Sequence, residues 1–145
     1  MPLAQLNIAK AKYPLDAPEI ADFVDNIPTI NALAEASAGF IWRLKDDGGD
    51  ATSFVVFDDP SWLVNLSVWR DVESLKHFML KTHHVDFMKR KREWFEPQAE
   101  ATYVLWWVPQ GHIPTVSEAI ERLMHLRQHG DSAQAFSFRT PFAPS

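Results

Sequence analysis

The chain has 145 residues, of which 46% are hydrophobic, carries a formal net charge of −5 and contains no cysteine. That length fits one domain with a sizeable core, and the missing cysteines exclude disulfides, thiolate metal sites and cysteine nucleophiles. The one dense basic cluster, Lys89-Arg90-Lys91-Arg92, is followed at once by Glu93 and Glu96, so an acidic chain of this kind is not expected to bind nucleic acid. The start, MPLAQLNIAKAKYP, has no basic patch followed by a long apolar run and is not a signal peptide. No stretch approaches the ~20 apolar residues of a membrane helix, and a cytoplasmic protein is expected.

Residues 3–9 alternate, with Ala4, Leu6 and Ile8 on one side and Gln5 and Asn7 on the other, the pattern of a half-buried strand. Pro18 and Glu19 signal a helix start. Ile20, Phe23, Val24 and Ile27 then share a face, Pro28 should kink or split the helix, and Gly39 stands where a glycine stop belongs. Residues 40–45 read as a second strand, with Phe40, Trp42 and Leu44 on one face and Ile41 and Arg43 on the other. DDGGD (46–50) is a turn, and 53–57 reads as a short strand or an aromatic anchor.

Residues 63–69 form the third strand, with Val64, Leu66 and Val68 toward a core and Asn65, Ser67 and Trp69 opposite. Asp71 fits an N-cap, and the following helix turns Val72, Leu75, Phe78 and Met79 inward. A second helical piece is expected from about His84 to Phe95. Tyr103–Val108 is the fourth strand, and a last helix opens at Pro114–Glu118, buries Ala119, Leu123 and Leu126, and ends at Gly130. The tail spaces Phe136, Phe138 and Phe142 nearly alternately, which suits an extended segment docked on the body or on a partner subunit.

The order β-α-β-β-α-β plus a helix is an α+β, ferredoxin-like split β-α-β arrangement with an antiparallel sheet, expected over residues 1–130 with an aromatic tail at 131–145. Both helical segments should cover one face. The other, carrying Gln5, Asn7, Asn65, Ser67 and Trp69, is expected to stay bare and to meet the sheet of a second copy across a lined cavity. That makes a homodimer and a dimeric α/β barrel the expected assembly.

Several strings carry a family resemblance: Asn7-Ile8-Ala9, Phe40-Ile41-Trp42-Arg43-Leu44, Leu63 through Trp69, Arg92-Glu93-Trp94-Phe95, Leu105 through Pro109, Gly111-His112 and Glu118-Ala119. On these the chain resembles the DUF3291 family over nearly its whole length. That family is similar to the dimeric α/β-barrel superfamily, which includes antibiotic-biosynthesis monooxygenases and some haem enzymes. The resemblance implies a dimer and a barrel pocket without transferring a reaction. Ala38 departs from the pattern, which more often has proline before the Gly-Phe pair.

Candidate chemistry gathers around histidines and tryptophans. His83 and His84 are candidate acid–base groups, since imidazole titrates near pH ~6.5, or haem ligands; their plain reading is a partly exposed helix with solvated basic groups. Arg43, Asn7, Asn65 and Ser67 would orient an apolar substrate lying against Trp42, Trp69, Trp94, Trp106 or Trp107. His112 stands at a pocket rim or, more plainly, in a turn into the last helix. Glu93 could pair with Arg90, Arg92 or Arg122 in a buried ion pair. No zinc spacing, phosphate loop or nucleophile elbow is present, so neither metal nor cofactor is expected, with haem as the weaker alternative. A cofactor-independent monooxygenase or isomerase follows as the first functional reading, and a non-catalytic, stress-associated ligand binder as the second.

Overall fold

The pleat sorts alternate residues of a strand onto two faces, and strand register carries that sorting across the sheet. The computed structural model describes residues 1–45, 57, 59, 61–81 and 90–144. Its strands are β1 (Leu3–Lys10), β2 (Phe40–Arg43), β3 (Trp62–Trp69) and β4 (Tyr103–Trp107). They form one sheet in the order β2-β3-β1-β4, with every neighbouring pair antiparallel. The helices are α1 (Ala21–Glu35, entered through a 3-10 turn at Pro18–Ile20), α2 (Val72–Lys81), the single turn α3 (Lys91–Trp94) and α4 (Val116–His129). This is the ferredoxin-like α+β fold expected from the order of elements.

One face is aliphatic. Ala4 lies opposite Val68 and Trp106, Leu6 opposite Leu66 and Val104, and Ile8 opposite Val64. The face is shared with Ala119, Leu123 and Leu126 of α4, the stripe expected for that helix. The other face carries Leu3, Gln5 and Asn7 opposite Trp69, Ser67 and Asn65. This face is not bare: Ala34 of α1 and Leu75 and Phe78 of α2 pack against its Leu3, Trp69 and Leu105. The expectation of a bare face is therefore corrected: the polar face is covered by helices of its own chain. The strand patterns say which residues share a face, whereas the hand of the crossover decides which face the helices take. The apolar end of this face, Leu3, Trp69 and Leu105, has a core to bury.

Two further expectations change. α1 is not split at Pro28, because a helix with few buried residues can leave the Val24 carbonyl, which has lost its donor, to water. In β2 the register shifts between Phe40 and Trp42, so Phe40 joins the cluster of Trp69 while Trp42 and Leu44 pack with the aliphatic face. A bulge of this sort re-aims side chains. The turn at 46–50, the segment 53–56, and all of the expected second helical piece before Arg90 lie outside the described residues.

The tail docks on its own chain. Phe136 is fully buried and exchanges backbone hydrogen bonds with Leu105, at 2.8 and 2.9 Å. This pairing satisfies the outer edge of β4, which would otherwise expose unpaired backbone groups. Trp107 Nε1 donates to the Phe142 carbonyl at 2.7 Å, fastening the tail a second time.

Asp71 caps α2, as its position suggests: its Oδ1 accepts from the Ser74 backbone N–H at 2.8 Å. The Ser74 side chain, then the Ser74 N–H, hold the Asp71 carboxyl below its ordinary value. Such a group adds stability above the unfolded-state pKa and loses it as pH falls through the lowered folded-state value. Asp71→Ala is expected to cost about 1 kcal/mol at neutral pH. In urea titrations the gap between the two proteins should close as pH drops below about 4. A gap that stays constant down to pH 2 would contradict the capping role.

Candidate functional site

Two rows of polar side chains cross the face under α2. In the first, Arg43 of β2 is opposite Ser67 of β3, which is opposite Gln5 of β1. In the second, Asn65 is opposite Asn7, which is opposite Tyr103 of β4. The sequence builds these rows by breaking the aliphatic alternation on one side only. Beside them stands an aromatic wall: Trp69 stacks on Phe78 of α2 with ring centres 5.4 Å apart and planes at 27°, and Phe40 meets Trp69 edge-on at 5.4 Å.

A cavity of about 20 Å³ opens between sheet and helix, lined by Gln5, Asn7, Asn65, Leu75, Phe78 and Met79. That is room for about one water, so a ring compound enters only if Met79 or Phe78 swings aside. Met79, unbranched and only partly buried, is the easier to displace. A larger, open cavity of about 330 Å³ lies at the far edge of β4, among Ala101, Tyr103, Leu126, Asp131, Ser137 and Arg139. Its Asp131 is occupied in holding the tail, accepting from the Ser137 N–H and hydroxyl at 2.6 and 2.8 Å.

Hydrogen bonds hold the floor of the smaller cavity rigid. Gln5 Nε2 donates to Asn65 Oδ1 at 2.7 Å and to Ser67 Oγ at 2.8 Å, and Trp69 Nε1 donates to the same Ser67 Oγ at 2.8 Å. Gln5 and Ser67 are buried, while Asn7 is half-buried and Asn65 exposed at the mouth. The Asn7 and Asn65 amides point polar groups at whatever occupies the cleft. Together the groups can bind and orient a small molecule through amide and hydroxyl contacts against a tryptophan–phenylalanine wall.

Of the residues singled out in the sequence, Asn7, Asn65, Ser67 and Trp69 come together here, with Arg43 beside Ser67. Trp107 shares the face but lies at its apolar end under the tail. Trp42 and Trp106 belong to the opposite face. Trp94 is buried in a separate cluster with Ala11, Ile20 and Phe23, beneath the Arg90 guanidinium at 4.7 Å. Arg90 does pair with Glu93, at 2.9 Å, but on the surface and not in the interior; both side chains are long and reach solvent. His112 is a surface residue on Glu118, at 2.7 Å, whose other oxygen accepts from Trp106 Nε1 at 2.9 Å. The Gly-His corner thus ties the start of α4 to β4. His83 and His84 lie outside the described residues. Gln5, Leu75, Phe78 and Met79 were not singled out as site residues; alternation with Asn7 marks Gln5, but the helix residues read only as core. Among the described residues no group of three or more His, Asp or Glu side chains is placed to hold a metal ion, and no helix is long and apolar enough to cross a membrane.

The fold recurs in solved structures. A conserved protein from Methanosarcina mazei Go1 is similar with a TM-score of 0.56 at 14% identity, over 75% of this chain and 94% of that one. SnoaB, a cofactor-independent oxygenase from Streptomyces nogalater, is similar with a TM-score of 0.50 at 15% identity, over 79% and 98%. A protein of unknown function from Nitrosomonas europaea gives 0.51 at 14% identity, over 79% and 95%. At these identities the likeness is one of fold. No curated protein matches the sequence. The family model described as domain of unknown function (DUF3291) matches residues 2–145, and the chain belongs to that family.

Proposed function

We propose that the protein is a cytoplasmic, cofactor-independent oxygenase of the SnoaB type, acting on a small ring compound held between the sheet and α2. The observation that carries this reading is the cleft of Gln5, Asn7 and Asn65, walled by the Trp69–Phe78 stack, in a fold shared with such an oxygenase. Without a flavin or metal the substrate itself must reduce dioxygen. A ring carbon that loses a proton becomes a carbanion whose charge rests on a neighbouring oxygen. Amide N–H groups from Asn7 and Asn65 would stabilise that oxyanion. Addition of O₂ then converts S–H and O₂ into S–OOH: the carbon is oxidised, dioxygen is reduced to the hydroperoxide, and the proton ends on the peroxide. His83 and His84 are proposed as bases for the proton transfer.

The homodimer belongs to the same reading. Its contact would use the aliphatic face, where Trp42, Leu44 and Trp62 stay only partly buried.

An oxygen electrode with 1,4-dihydroxynaphthalene, an electron-rich and easily deprotonated ring, tests the proposal. Uptake above the buffer rate is expected, falling about 10²-fold or more in Asn7→Ala and Asn65→Ala. The melting temperature should hold for Asn7→Ala, because among the described residues nothing hydrogen-bonds the Asn7 side-chain amide; Asn65→Ala, which removes an acceptor of Gln5 Nε2, should lower it slightly. Uptake unchanged in both variants would place the chemistry elsewhere, and a ring compound bound and returned unaltered would make the protein a binding module.

A further inference from the structure

Next to the cleft lining, on the side of Gln5 toward β2, donors outnumber acceptors. Ser67 Oγ accepts from Gln5 Nε2 and Trp69 Nε1, both at 2.8 Å. A hydroxyl oxygen has two lone pairs, so both are taken and its own hydrogen must be given elsewhere. The Gln5 amide cannot take it, because its N–H₂ end is fixed toward the Asn65 backbone carbonyl, 3.3 Å away, which only accepts.

Directly across from Ser67 stands Arg43, on the adjacent strand where opposed Cβ atoms lie about 5 Å apart. The Arg43 side chain is 14% exposed, and among the described residues its carboxylate partner is Glu35, with Oε2 3.7 Å from Nε. That distance gives charge attraction without a hydrogen bond, and Nε is buried without a partner. A guanidinium has five N–H donors and no acceptor capacity, and a buried donor left unbonded is costly. Two neighbouring donors, the Ser67 hydroxyl and the Arg43 Nε–H, therefore lack an acceptor among the described residues on the same face, beside an aromatic wall.

We propose that Arg43 and the Ser67 hydroxyl together hold the carboxylate of the cleft's ligand, which makes that ligand a small aromatic acid. This rests on the cleft being the ligand site and narrows its substrate class. The planar fork of arginine matches a carboxylate, and the ring then lies along Trp69 and Phe78. Glu35 is a positioning residue: it holds the guanidinium by charge and opposes the incoming anion.

Ligand-observed fluorine NMR on the full chain with 4-fluorobenzoate and its neutral counterpart 4-fluorobenzamide tests this. The wild type should bind the benzoate about tenfold tighter than the benzamide. Arg43→Gln should abolish that preference, chiefly by weakening benzoate binding, and Glu35→Gln should tighten benzoate binding about threefold. Equal affinities in the wild type, or a preference that survives Arg43→Gln, would overturn the assignment and leave the cleft standing as a neutral-ligand site. Binding of neither probe would overturn the cleft itself and the assignment with it. If Arg43→Gln fails to fold, Arg43→Lys and Glu35→Gln decide: a benzoate preference unchanged in both rejects the role of the guanidinium.

Discussion

Trp69→Ala is expected to lower the stability of the protein by about 3–5 kcal/mol, the range for removing a large buried aromatic. Trp69 is 1% exposed and is the piece through which the sheet meets both covering helices. It stacks on Phe78 of α2 at 5.4 Å and packs in one cluster with Ala34 of α1. Its indole N–H also satisfies one lone pair of Ser67, so the loss has an apolar part and a polar part. Trp69→Phe separates them. The ring remains, the N–H is gone, and the cost should fall to about 1 kcal/mol, because Ser67 Oγ still accepts from Gln5. Urea denaturation of the three proteins reads both numbers. A loss below 1 kcal/mol for the alanine variant would mean that the aromatic wall is not part of the core, and the rigid floor argued for the cleft would go with it.

Gly39→Ala should be comparably damaging, at about 2–6 kcal/mol, from two sources that add. Gly39 has φ of 84°, in the left-handed region, where a non-glycine residue costs roughly 1–3 kcal/mol. A Cβ at this position would also run into the Ser74 side chain, and overpacking of that kind costs about 1–3 kcal/mol more. The turn has little freedom to retreat, because the Gly39 carbonyl accepts from the Arg70 N–H at 2.7 Å. Gly111→Ala is the control: φ is 83° but no atom lies within 4 Å of the added carbon, so only the backbone cost remains. Adding Ser74→Gly to Gly39→Ala should recover the steric part. Equal losses at Gly39 and Gly111 would show that the contact with α2 carries no weight. Since Ser74 lies in the first turn of α2, the helix that roofs the cleft, the Gly39 variant should also disturb ligand binding.

The residues show how far a linear pattern reaches. Alternation assigned Gln5, Asn7, Asn65, Ser67 and Trp69 to one face, and the register bears this out pair by pair, because a strand's side-chain period of two is a local property of the backbone. The cap at Asp71 and the stripe of α4 were readable for the same reason: each depends on residues three or four apart. The order of elements was enough for the fold class.

What lay beyond the sequence was everything set by contacts distant along the chain. The side on which α1 and α2 lie follows from the hand of the crossover, so the polar face became the interior of a cleft and not a bare sheet. One shifted residue in β2 sent Phe40 and Trp42 to opposite faces, a displacement that no periodicity announces. The six tryptophans look alike in the sequence. Only packing separated Trp69 at the cleft from Trp94, Trp106 and Trp42 in other clusters, since burial depends on which distant residue fills the space opposite. The unbonded Nε of Arg43 beside Ser67 is of the same kind. Hydrogen-bond satisfaction is counted in three dimensions, among Gln5, Arg43, Ser67 and Trp69, residues that the chain brings together from three different strands.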